Sequence, residues 1–247
     1  MNKELLGARE DAARCIFESH SCLVDLNAGF ELAIHQELPQ APRSPFYLNL
    51  RPQGVKGGKL SATDITTISQ SMYLKGTAAT QTGVFASHRG ICSIPAAGDP
   101  YLDNIMSFVR GERNQELNPT RYSLQKHVTD GKRSFTLTEE AYLSQFAIKF
   151  TVIDDLVASS ISKRLVIDAI RNTGGCAVTD LIVFLNRSTD AEKELQGLGV
   201  RLHAVWDFEH LMEWALGHSY LKRHEYEIIM EYPGKLAAYK KSVNYVN

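Results

Sequence analysis

The stretch FTVIDDLVASSISKR, residues 150–164, sets two adjacent carboxylates, Asp154 and Asp155, behind an apolar run and follows them with Ser159, Ser160 and Ser162. Adjacent carboxylates are good acceptors for vicinal hydroxyls such as those of a ribose. A loop of small and hydroxyl-bearing residues that opens a helix offers free amides to a phosphate. The pattern therefore points to a ribose-phosphate site, and the two acids alone fit a helix cap or a solvated turn equally well. Further along, Arg187 ends VTDLIVFLNR, where its guanidinium suits a planar carboxylate or a surface pairing with Asp190 or Glu192. Phe46 and Tyr47, in APRSPFYLNLRP, can wall a planar base or belong to a core. In SIPAAGDP, residues 93–100, small side chains let the backbone approach a diphosphate closely.

These residues need elements to position them. Apolar runs at AIKFTVIDD (147–155), VTDLIVFLNR (178–187) and GVRLHAVWDF (199–208) read as strands, and ICSIPAAG (91–98) as a short strand ending in a turn. Helical spacing follows the first of these through Ile161, Leu165, Val166, Ala169 and Ile170, and follows 91–98 through Ile105, Met106 and Val109. Residues 3–19 and 61–76 read as helices, and 41–52 as a proline-bounded turn with a short strand. Strands alternating with helices imply βαβ units and a mainly parallel sheet, whose ligands gather at the C-terminal ends of the strands. The last stretch, rich in tyrosine, reads as an appended helical tail.

The bulk numbers exclude several functions. A chain of 247 residues, 44% hydrophobic and 22% charged, with net charge −1, is of ordinary globular composition. It gives no electrostatic reason to bind nucleic acid or an acidic membrane. The four cysteines show no CxxC pair or metal-ligand spacing, so reduced thiols in a cytoplasmic protein are expected. The N-terminal residues carry charge without a signal-like apolar run, and no apolar run reaches the roughly 18 residues of a membrane span.

In this order, the segments resemble type I phosphoribosyltransferases, and within them orotate phosphoribosyltransferases, over most of residues 10–212. Residues 150–162 resemble that family's motif for 5-phosphoribosyl 1-diphosphate (PRPP). RSPFYLNLR (43–51) is similar to its base-binding segment and SIPAAGDP (93–100) to its pyrophosphate loop. LNR (185–187) resembles the strand end that carries an arginine for the carboxylate of orotate, and GVRLHAVWDFEHLMEW (199–214) the closing strand and helix. The resemblance implies an α/β fold of the type I phosphoribosyltransferase kind, with a mainly parallel sheet, flanking helices and a small N-terminal hood. Residues 1–60 would form the N-terminal helix and hood, 61–217 the transferase core and 218–247 a helical extension. It implies PRPP binding by Pro95, Ala96, Ala97, Gly98, Asp154, Asp155, Ala158, Ser159, Ser160, Ile161 and Ser162. Arg43, Phe46, Tyr47 and Arg187 would bind the base, and Mg²⁺ would arrive with PRPP rather than on a protein site. Arg121, Lys126 and His127, in RYSLQKHVTDGKR (121–133), would join Asp154 and Asp155 as catalytic residues, in a homodimer.

The chain departs from the family at three places. Ser160 and Ile161 stand where the family has a glycine pair, so the loop must take another conformation. Tyr122 and Gln125 stand at two lysine positions of the mobile loop, with Lys126 one step later. Asp99 lies beside the expected diphosphate, which it would repel unless a cation intervened. The expected function is transfer of the phosphoribosyl group to a pyrimidine base, orotate first. A non-catalytic PRPP or nucleotide sensor and a transferase for another base are the alternatives.

Overall fold

The computed structural model describes residues 3–79, 84–86, 89–111, 118–129, 131–138, 147–159 and 161–245. In chain order these form α1 (Lys3–Glu18), β1 (Cys22–Val24), a 3-10 turn (Ala33–Gln36), β2 (Phe46–Leu48), α2 (Ala62–Ala78), β3 (Arg89–Ser93) and α3 (Asp99–Gly111). There follow β4 (Thr120–Arg121), β5 (Leu124–Thr129), β6 (Lys132–Leu137), β7 (Lys149–Val157) and α4 (Ile161–Arg171). The chain ends with β8 (Ala177–Asn186), α5 (Thr189–Gly197), β9 (Arg201–Asp207), α6 (Phe208–Gly217) and α7 (Arg223–Ser242). It divides into two units, Met1–Ala12 with Ala62–Phe208, and Ala13–Ser61 with Glu209–Asn247.

The first unit is built on a five-stranded parallel sheet in the order β4-β3-β7-β8-β9. β7 and β8 are buried almost throughout, which suits parallel strands covered on both faces. Successive residues of β8 point to opposite faces. Leu181 and Val183 join Val166 and Ile170 of α4 and Leu195 of α5 in one core layer. Ile182 faces α2, where Gly76 allows close approach: a Cβ there would lie 2.7 Å from the Phe85 ring and 2.9 Å from Ile182. α2 buries Ile65, Ile68 and Met72, and α3 buries Leu102, Ile105 and Val109, each at helical spacing.

Two findings differ from the sequence reading. β7 does not end at the acids; it runs on to Val157, with Asp154 opposite Val183 and Val157 opposite Asn186 of β8. Residues 124–137 are an antiparallel hairpin, Thr129 opposite Lys132, with Gly131 at φ +75° in the turn. Alternation explains the hairpin: Phe135 and Leu137 of β6 are buried in the core layer with Tyr122.

Towards the N-terminal ends of the strands, Asp180 of β8 is fully buried. It pairs with Arg89 of β3 at 2.6 Å and Arg201 of β9 at 3.0 Å, with His203 Nε2 at 2.8 Å. Burial pushes the Asp180 carboxyl up, but hydrogen bonds from His203 and Thr179 and the Arg89 charge outweigh it and hold the group well below the usual carboxylate range.

In the second unit β1 and β2 pair antiparallel, Val24 opposite Phe46. α7 buries Ile229 and Tyr232, and Phe46 meets Tyr232 edge-on at 6.3 Å. Tyr220 stacks between Phe17, at 5.2 Å, and Trp214, at 5.6 Å.

Candidate functional site

At the C-terminal end of β7, the carboxyls of Asp154 and Asp155 lie close enough to interact with each other. Asp154 is 2% exposed and Asp155 is half-buried. Asp154 Oδ2 lies 2.6 Å from Lys163 Nζ, which reaches back from the first turn of α4. The other oxygen, Oδ1, is buried with no hydrogen-bond partner. Asp155 Oδ1 accepts the Leu156 N–H at 2.7 Å. The Asp155 carboxyl is pushed up to about 7, first by burial and then by the Asp154 charge, with Lys163 and the Leu156 amide acting against both. Tyr101 of α3 lies close enough that the charges of Asp155 and Asp154, after burial, raise its phenol.

The loop 93–98 is fastened to β7 beside these acids. Ile94 N–H donates to the Ile153 carbonyl at 2.9 Å, and Gly98 N–H to the Ile94 carbonyl at 2.8 Å. Gly98 has no room for a side chain: a Cβ would lie 2.3 Å from the Ile153 oxygen. Asp99 accepts the Ser93 hydroxyl and, at 2.8 Å, the Ala96 N–H, holding Ala96 at φ +71°. Its charge is therefore spent on shaping the loop, which accounts for an acid at this position. Pro95 and Ala97 are half-buried and Ala96 is exposed, so the loop presents itself to solvent one residue away from Asp154 along β7.

Beyond β7, Ala158 and Ser159 are exposed, and Ser160 lies outside the described residues. Ile161 begins α4 and is 54% exposed, with no left-handed backbone. At Ile161, the second of the two glycine positions, the helix has already begun. Ser162 is half-buried, its Oγ 3.4 Å from Lys163 Nζ. Arg187 follows β8 directly; its N–H donates to Val157 O at 2.7 Å and its guanidinium lies 5.9 Å over the Phe208 ring. Ser188 then caps α5 by accepting the Ala191 N–H at 3.1 Å.

The remaining expected residues stand elsewhere. Arg121 of β4 pairs with Asp103 of α3 at 2.5 Å, both exposed. Lys126 and His127 are exposed on opposite faces of β5, His127 Nε2 lying 2.8 Å from Thr136 Oγ1. Tyr122, at a lysine position of the family, packs on Phe150 with ring centroids 5.1 Å apart. Arg43, Phe46 and Tyr47 belong to the second unit. There Arg43 pairs with Glu31 at 2.6 Å, Phe46 is 1% exposed, and Tyr47 lies against Phe30 at 5.9 Å. The Phe46 ring is committed to that core rather than to a base. Lys163 escaped the sequence reading, although a cation in the first turn of a helix opposes the macrodipole and so signals a nearby anion.

No family model matches the sequence. A curated relative, orotate phosphoribosyltransferase of Saccharolobus solfataricus, is 30% identical over 81 residues, which is 33% of this chain and 41% of that protein. Among solved structures, UMP synthase of Leishmania donovani superposes with a TM-score of 0.63 at 17% identity, over 92% of this chain and 42% of that one. Orotate phosphoribosyltransferase of Aeropyrum pernix gives 0.59 at 16% identity, over 83% of this chain and 98% of that one. The chain has the type I phosphoribosyltransferase fold. Within this phosphoribosyltransferase fold, the acids of β7, loop 93–98 and the start of α4 occupy the sheet edge where parallel α/β folds place ligands.

Proposed function

We propose that this edge binds PRPP and transfers its phosphoribosyl group to a pyrimidine base, with orotate the first candidate. One observation carries the reading: the loop at 94–98 is seated on β7 through Gly98 and Ile153, directly beside Asp154 and Asp155. That juxtaposition suits a ligand with a diphosphate at one end and ribose hydroxyls next to it. Asp155 would accept from a ribose hydroxyl, residues 95–98 would face the diphosphate, and Ala158, Ser159 and Ser162 at the start of α4 would receive the 5′-phosphate. Mg²⁺ would come with the diphosphate. The bond between the ribose C1′ and a diphosphate oxygen breaks, the base nitrogen bonds to C1′ and gives up its N–H proton to solvent or to the leaving group, and pyrophosphate departs. Arg121, Lys126 and His127 are the cationic candidates for the leaving group, once Arg121 exchanges Asp103 for it. Arg187 remains the candidate for the carboxylate of orotate.

The direct test is incubation with PRPP, Mg²⁺ and orotate, measuring pyrophosphate and the nucleotide product. Both should appear in equal amounts, and Arg187→Ala should lose orotate use while keeping PRPP binding. A sensor reading draws support from Tyr122, which buries a ring where the family keeps a lysine. PRPP binding without pyrophosphate release from any pyrimidine base would favour it.

A further inference from the structure

Lys163 is 7% exposed, and its stem lines a small apolar void with Val152, Val166 and Leu181. A lysine is rarely enclosed in this way without a partner, and at the N-terminus of α4 it also opposes the helix dipole. Asp154 is that partner, at 2.6 Å. The contact has a consequence for the acid pair. With Oδ2 taken by Lys163 and Oδ1 buried, Asp154 has no oxygen turned to solvent, whereas Asp155, though largely enclosed, keeps part of its surface exposed. We propose that Lys163 is a positioning residue of this site: it holds Asp154 inside the unit and leaves Asp155 as the carboxylate that meets a ribose hydroxyl. The assignment rests on reading this edge as the ribose-phosphate site. It differs from the expectation that both acids contact the ribose in the same way.

The arrangement links Lys163 to the protonation of Asp155. Four groups face that carboxyl: Asp154 on its own strand, Lys163 from α4, Tyr101 from α3 and the Leu156 amide. Asp154 raises it and Lys163 lowers it, Asp154 being the stronger. Removing the lysine alone must therefore move the Asp155 titration up, and removing both partners must move it down. A lysine that merely fills space would leave the Asp155 titration in place when it alone is removed.

The experiment compares wild type, Lys163→Arg, Lys163→Met and the double variant Asp154→Asn/Lys163→Met. Thermal unfolding establishes that each is folded, ¹³C NMR follows the Asp155 carboxyl, and calorimetry measures Mg·PRPP affinity from pH 6 to 9. In Lys163→Met the Asp155 midpoint should rise by about one pH unit, weakening PRPP binding at pH 7 about fivefold. Lys163→Arg should stay near wild type, and the double variant should titrate below it. If Lys163→Met does not fold, the double variant is compared with Asp154→Asn alone: a higher Asp155 midpoint in the double variant upholds the role of Lys163, and equal midpoints overturn it. One midpoint and one affinity profile shared by wild type, Lys163→Arg and Lys163→Met, with PRPP bound, would overturn the role of Lys163 and leave the reading of the site standing. No PRPP binding by wild type at any pH would overturn the reading of the site, and the positioning role with it.

Discussion

Asp155 and Asp180 sit in the same sheet and titrate in opposite directions, and the contrast follows from their partners. Asp155 is buried beside a like charge, with only Lys163 and one amide acting the other way, so its carboxyl is raised to about 7. An acid whose folded value is raised binds its proton more tightly when folded, so its contribution to stability falls as pH climbs from the usual carboxylate range near 4 towards 7. Asp155→Asn should therefore raise the melting temperature at pH 8 by a few degrees while abolishing PRPP binding. Differential scanning calorimetry at pH 5 and pH 8 checks the sign, since the gain should shrink at the lower pH. Asp180 is the reverse case. Its two arginines, His203 and Thr179 hold it low, so its contribution is complete above about pH 4 and is lost as acid protonates it. Asp180→Asn should cost about 3–5 kcal/mol at pH 7, because buried Arg89 loses its counter-charge, and urea unfolding measures it. At this scale the sequence displayed the two acids and the serines, since type and spacing alone identify them. It did not display Lys163 or the Arg89–Asp180–Arg201 group, because each joins residues from separate elements that only the folded sheet brings together.

The site is an assembly of element ends. The alternation of strands and helices was legible because parallel strands buried on both faces carry long apolar runs, as β7 and β8 do. The extension of β7 to Val157 was not, since an acid pair reads as a strand end until pairing with β8 is known. The hairpin at 124–137 was missed for a related reason: its outer face is polar and exposed, and its inner face became evident only with Phe135 and Leu137 in the core. Gly98 is the position where local geometry bears most directly on the site. Gly98→Ala would press a methyl carbon against the Ile153 carbonyl, and the backbone on both sides leaves no rotamer to relieve it. Loop 93–98 should lift from β7, with PRPP affinity falling at least about tenfold, equivalent to roughly 1.4 kcal/mol. Calorimetric titration checks this, and unchanged affinity would show that the loop does not face the diphosphate. Tyr122→Lys tests the other departure. Placing a lysine where Tyr122 packs on Phe150 should destabilise the protein by about 2–4 kcal/mol, with no gain in transfer rate; higher activity without loss of stability would contradict the core role of Tyr122.

The whole molecule divides into two units, each with its own share of the residues singled out in the sequence. The PRPP candidates and Arg187 lie in the unit that contains the parallel sheet, and Arg43 and Tyr47 in the unit that contains α7. The base is accordingly the part of the substrate on which the sequence reading rests most heavily. No helix among the described residues is long and apolar enough to cross a membrane. What the fold itself supplies is a sheet edge where a diphosphate-sized loop and an acid pair adjoin. The central claim is that this edge binds PRPP, and calorimetric titration of the wild-type protein with Mg·PRPP, beside Asp155→Asn, tests it most directly. Saturable binding of one PRPP per chain, lost in the variant, is the predicted result. Absence of binding to the wild type, or equal binding to both proteins, would contradict it.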